Sequence, residues 1–260
     1  ECNGIAILSL RGMKYDIIND EISFVGLLEE THNRTVISAI NDSGTFVGHS
    51  GLYDGQSNFY REAKAFVATD TANLSVIIGL EEDSRDTLAD INDSGSFAVG
   101  ASNSQAFYYD LSSESAHAIG YLNEQLKFSQ ALSVNNDHLV VGVSQTSSTP
   151  TAFKPFIFDI DSESSSLIDL NTLIDCDSGW NLAEVREINN EGWIIGSGTV
   201  SVEQIDGTFE GEIRAFLLKP RTTEANQSCE TTEVVETGGS INGIILLFLS
   251  SLFVYRRFSN

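Results

Sequence analysis

The residues of this chain that could do chemistry are few, and their spacing argues against most of it. His32, His49, His117 and His138 stand far apart and at non-equivalent places, so they read as solvent-exposed loop histidines and not as a metal cluster. Asp159, Asp161 and Glu163 alternate as D-x-D-x-E in a loop. They form the best single candidate for a calcium site, since calcium takes hard carboxylate oxygens, and equally read as an exposed acidic face. Asn41, Asp42 and Asp93 offer further oxygens, but N-D-S-G lacks the alternation of a calcium loop, and an Asn that caps its own turn explains it. No G-x-S-x-G elbow, H-E-x-x-H helix or P-loop occurs, and no serine has a recognisable base, so neither catalytic residues nor an organic cofactor is indicated.

Cys2, Cys176 and Cys229 show no C-x-x-C spacing. In an oxidising compartment one disulfide is open to them, with Cys176 to Cys229 the expected pair. The 37 Asp and Glu against 14 Lys and Arg give a formal charge of -23, which excludes electrostatic binding to nucleic acid phosphates.

What positions these residues is a recurring string, INDSG at 40–44 and again at 91–95. Asn at the start of the turn and Gly at its end suit a type I turn closed by a glycine bulge, so the string joins two strands of a hairpin. The second strand is expected to stop at Gly48. A third strand carries an aromatic in register at Tyr15, Phe66, Phe107, Phe156 and Phe216, which favours core. A fourth follows at 23–27, 76–80, 118–122 and 167–170.

The turn asparagines, Asn41, Asn92, Asn135 and Asn189, lie 51, 43 and 54 residues apart. A period near fifty with four short strands per period predicts an all-β fold, a propeller-like array of four-stranded blades over residues 1–220. About four units are complete and the first is partial, because 3–9 matches only the Gly-strand-Ser half of a unit. The chain is therefore expected to begin inside a repeat, with a signal peptide and earlier blades missing. Loop length varies most after the second strand, and Tyr53, Phe59 and Tyr60 in the first such loop are candidate ligand-stacking aromatics.

Residues 221–237 are polar and aperiodic and read as a linker. Residues 238–260 then place Gly238, Gly239 and Ser240 before an apolar run, 241–255, and Arg256-Arg257. Fifteen helical residues span about 22 Å, short for a hydrocarbon core but extended by the flanks, so a transmembrane helix with cytoplasmic arginines is expected.

Two resemblances follow from these motifs. The unit A-x-x-I-N-x-x-G-x-x-V-G, with its A-F and D-L strands, resembles the HAF repeat of bacterial extracellular proteins, including an uncharacterised Gammaproteobacterial family, across roughly 3–220. The best-matching stretch runs from Leu167-Ile168-Asp169-Leu170-Asn171 through Gly179-Trp180 to Ala215-Phe216-Leu217-Leu218. The tail resembles the GlyGly-CTERM sorting signal. That likeness implies export, cleavage near Gly238-Gly239 by a rhomboid-type protease, and display at the surface or release.

The function these readings favour is a non-enzymatic binding module for a glycan, matrix component or protein. The alternative, by fold analogy alone, is a secreted hydrolase or lyase with its site in the propeller channel.

Overall fold

In a computed structural model, residues 9–53, 60–162, 166–203 and 208–221 are described. All fall in the first of two compact units, Glu1–Ser228; the second is Cys229–Asn260. The polar linker after Arg221 and the tail lie outside the described residues. Among those that are described, no helix is long and apolar enough to cross a membrane.

The described chain is all-β, as its turn-rich sequence predicts. A short antiparallel hairpin, β1 (Met13–Asp16) and β2 (Glu21–Phe24), comes first. Three four-stranded antiparallel meanders follow. The first is β3 (Arg34–Ile40), β4 (Phe46–Tyr53), β5 (Tyr60–Ala68) and β6 (Ser75–Ile77). The second is β7 (Asp86–Ile91), β8 (Phe97–Ser102), β9 (Gln105–Asp110) and β10 (Ser115–Gly120). The third is β11 (Ser129–Val134), β12 (Leu139–Ser148), β13 (Thr151–Asp159) and β14 (Ile168–Asp169). The last sheet has three described strands, β15 (Trp180–Ile188), β16 (Ile194–Glu203) and β17 (Phe209–Leu218).

A sheet this small cannot bury its own faces, so the core lies between sheets. The opening strand of each sheet packs on the first three strands of the sheet before it: β7 on β3, β4 and β5, β11 on β7, β8 and β9, and β15 on β11, β12 and β13. Val47, Ala65 and Ile77 of the first sheet thus meet Leu88, Ile91 and Phe107 of the second. Val99 and Ala106 meet Val134, Val140 and Phe156, and Val141 meets Leu182, Val185 and Phe216.

One device recurs in each of the four larger sheets. The first strand carries a β-bulge, at Ile37/Ala39, Leu88/Asp90, Ala131/Ser133 and Val185/Glu187, and the second strand places a glycine opposite it. Gly48, Gly100, Gly142 and Gly196 are also the register partners of Phe66, Phe107, Phe156 and Phe216. At all four places a Cβ would run into a carbonyl of the bulged strand, and at Gly142 and Gly196 into the aromatic ring as well. This corrects the expectation that Gly48 ends its strand, for β4 runs through it to Tyr53.

The aromatics divide as their surroundings dictate. Phe66, Phe107 and Phe156 are completely buried and Phe216 nearly so, whereas Tyr15 is 49% exposed. The β1–β2 hairpin presents it to solvent, and its hydroxyl donates to Asp20 Oδ1 at 2.6 Å. The two ends of the array also expose apolar side chains, Ile22 and Phe24 on β2 and Ile213 and Leu217 on β17.

Candidate functional site

The turns use their polar groups for architecture. In three of them the Asn side-chain oxygen accepts backbone N–H groups two and four residues on, as Asn135 does from Asp137 at 3.1 Å and Leu139 at 2.9 Å, whereas Asn92 accepts from Ser96 and Phe97, four and five residues on. The amide nitrogen then donates to the backbone carbonyl of the next turn's asparagine: Asn41 to Asn92 at 3.4 Å, Asn92 to Asn135 at 3.5 Å, and Asn135 to Asn189 at 3.0 Å. The result is an asparagine ladder that crosses from sheet to sheet. Gly44, Gly95 and Gly192 take positive φ at the turn ends, and His138 fills that place in the third turn with φ 60°. Asp93 accepts from Asn190 at 2.8 Å, so this acid too serves the array.

Serines make a second set of latches. Ser50, Ser102 and Ser144, all buried, accept from the backbone N–H of Leu28, Leu80 and Leu122 at 3.0 to 3.2 Å, clamping the chain that enters each sheet. Asp90 ties the second sheet to the third through Ser133 Oγ at 2.7 Å and Val134 N at 2.9 Å, and burial pushes its carboxyl above the usual range.

The predicted calcium loop is described at two of its three acids, since Glu163 lies outside the described residues. Asp159 accepts from the Asp161 backbone at 3.0 Å and Asp161 contacts His138 Nδ1 at 2.9 Å. Among the described residues these two acids join no third His, Cys, Asp or Glu at metal-binding distance. Cys176 is disulfide-bonded, while Cys2 and Cys229 fall outside the described residues, as do Phe59 and Gly238 to Ser240.

Tyr53 and Tyr60, which flank residues 54–59, are brought together with ring centroids 5.7 Å apart. Both are half-buried. Arg34 lays its guanidinium 3.4 Å from the Tyr53 ring centre, a cation–π contact, and Asn33 pins the Tyr53 backbone with bonds of 2.7 and 2.9 Å. Behind them His49 meets Tyr60 edge-on at 4.9 Å.

The expectation of exposed loop histidines fails in part at His117, which is exposed but lies within β10, and more fully at two other positions. His49 lies within β4, on the face that packs against the second sheet, and both its ring nitrogens are buried without a hydrogen-bond partner. Desolvation lowers its pKa to about 4. The unfolded chain protonates such a group near 6.5, so its contribution to stability is complete above that pH and is lost as pH falls toward 4, by about 3 kcal/mol in total. His49→Leu is expected to flatten the denaturation midpoint between pH 6.5 and 4; a slope identical to the parent's would refute this.

His32 is the second exception, with 3% exposure. Its Nδ1 lies 2.9 Å from Ser50 Oγ, and its Nε2 is buried, unpartnered and 3.9 Å from Glu29 Oε2. Period-2 alternation puts Ser50, Glu62 and Lys64 on one face of the β4–β5 ladder, where Ser50 pairs with Lys64 and Leu52 with Glu62. Lys64 Nζ bonds Glu29 Oε1. Glu29, His32 and Glu62 thereby each bring a ligand atom within 4.8 Å of the others, a set that sequence spacing does not reveal because Glu62 lies thirty residues beyond His32 on another strand.

The family described as "Protein of unknown function (DUF3466)" matches residues 29–242, and the chain belongs to it. No curated protein matches the sequence. Among solved structures, the crystal structure of TolB from Acinetobacter baumannii is similar at 14% identity and a TM-score of 0.40, over 77% of this chain. The chain spans 49% of that protein's length.

Proposed function

We propose that this member of a family without assigned function is a β-propeller binding module, exported and displayed or released, that holds a glycan, matrix component or protein on its loop side. The observation that carries the reading is the division of labour among polar and aromatic residues. Those that recur, the turn asparagines, the latch serines and the third-strand phenylalanines, are spent on stacking sheets. Tyr53, Tyr60 and Arg34 do not recur, and they cluster beside the chain segment that varies most between repeats.

Further sheets covering Ile22 and Phe24 at one end and Ile213 and Leu217 at the other would complete the propeller. The calcium expectation at Asp159, Asp161 and Glu163 belongs to the same proposal. So does the tail, in which Gly238, Gly239, Ser240, the apolar run 241–255 and the terminal arginines support membrane insertion followed by sorting through a rhomboid-type protease.

A glycan array of the full chain in detergent, run with calcium and with chelator, tests the reading. Tyr60→Ala is expected to weaken a glycan hit about tenfold, an effect of about 1.4 kcal/mol, in a variant whose circular dichroism spectrum at the binding temperature matches the parent's. A folded chain that binds no glycan in either condition would end the glycan version. Calcium-dependent binding that survives Asp161→Asn would remove the loop acids from it.

A further inference from the structure

We infer that Glu29, His32 and Glu62 form a binding site for a first-row divalent metal ion, with zinc the expected occupant and the remaining positions left to water or an anionic ligand.

The argument starts from the imidazole. His32 is held on one side by Ser50, which is wholly buried, and on the other side a buried nitrogen points at a carboxylate without reaching it. A buried polar atom left without a partner is costly, and the 3.9 Å gap from Nε2 to Glu29 Oε2 is too long for a hydrogen bond. It suits a metal ion between the two atoms, since zinc stands about 2.0–2.2 Å from each nitrogen and oxygen ligand.

The two oxygens of Glu29 are already divided. Oε1 goes to Lys64 and Oε2 faces His32, so a metal at Oε2 leaves the lysine as an orienting partner. Ser50 plays the same part for the imidazole: with a metal at Nε2 the ring carries its proton on Nδ1, 2.9 Å from Ser50 Oγ, which then accepts it. Glu62 is exposed and supplies the third oxygen by rotating about its own side-chain torsions.

One imidazole with two carboxylates is a borderline donor set that suits zinc and its first-row neighbours, whereas calcium prefers all-oxygen cages. The same site lies on the opposite face of the β4–β5 ladder from the Tyr53–Tyr60 pair, so it is separate from the proposed ligand surface.

The test is calorimetric titration of zinc chloride into the chelator-treated full chain, with the histidine ring 15N resonances followed in parallel. Expected are one zinc per chain, a shift of the His32 Nε2 resonance, and no displacement by excess calcium. Glu62→Gln, at an exposed position that leaves folding intact, should lower zinc affinity at least tenfold, and Ser50→Ala about tenfold through the imidazole. Failure of the parent chain to bind zinc at micromolar concentration would overturn the proposal. So would zinc binding that leaves the His32 resonance in place and is unchanged in Glu62→Gln.

Discussion

Gly100→Ala is expected to destabilise this protein by about 3 kcal/mol or more, although it adds a single methyl group. A Cβ at Gly100 would stand 1.9 Å from the Thr87 carbonyl oxygen and 2.9 Å from Leu88 Cα, both backbone atoms of the bulged strand that faces it. Neither can swing aside as a side chain would, so the bulge or the pairing of β7 with β8 must open. Gly26→Ala is the matched control. Its added Cβ meets nothing nearer than the Thr71 carbonyl at 3.9 Å, and its cost should stay within about 0.5 kcal/mol. Urea unfolding followed by circular dichroism compares the two, and equal midpoints would show that the bulge does not set the glycine.

The second large effect belongs to the asparagine ladder. Asn135→Ala is expected to cost about 2–3 kcal/mol, because it removes both the cap of its own turn and the bond to the next turn in a side chain that is 2% exposed. Asn189 separates the two contributions. It caps its turn in the same way, accepting from Glu191 at 3.1 Å and Trp193 at 2.8 Å, but it is exposed and no further turn follows it among the described residues. Asn189→Ala should therefore cost only about 1 kcal/mol, the worth of a cap. If both alanine variants unfold at the same denaturant concentration, the bonds between turns contribute nothing and the sheets are held by apolar packing alone.

These two devices also mark how far the sequence could be read. The strings at 40–44 and 91–95 disclose their turns because an Asx turn and a positive-φ glycine act within five residues, and the chain alone satisfies them. The aromatic register at Phe66, Phe107, Phe156 and Phe216 is legible for a similar reason, since it repeats with the turn. Tyr15 shares that register yet is exposed, because burial depends on a neighbouring sheet and not on the strand that carries the residue.

The candidate sites were less legible. Tyr53 and Tyr60 could be picked out by their loop position, but not the Arg34 cation resting on one ring or the histidine packed against the other. The gathering of Glu29, His32 and Glu62 was invisible, as was the burial of His49.

By itself, then, the sequence determined the all-β class, the period of the repeat, the residues that turn the chain, and a charge that repels nucleic acid. Only the tertiary structure decided which polar residues are spent in linking sheets and which converge in clusters of their own. The physical reason is range. Turn and strand preferences are settled by atoms a few residues apart, whereas the partner of Asn41 lies 51 residues away and that of His32 lies across two strands. The first meeting is set by how one twisted sheet stacks on the next and the second by the pairing of β3 with β4, and no local pattern encodes either geometry.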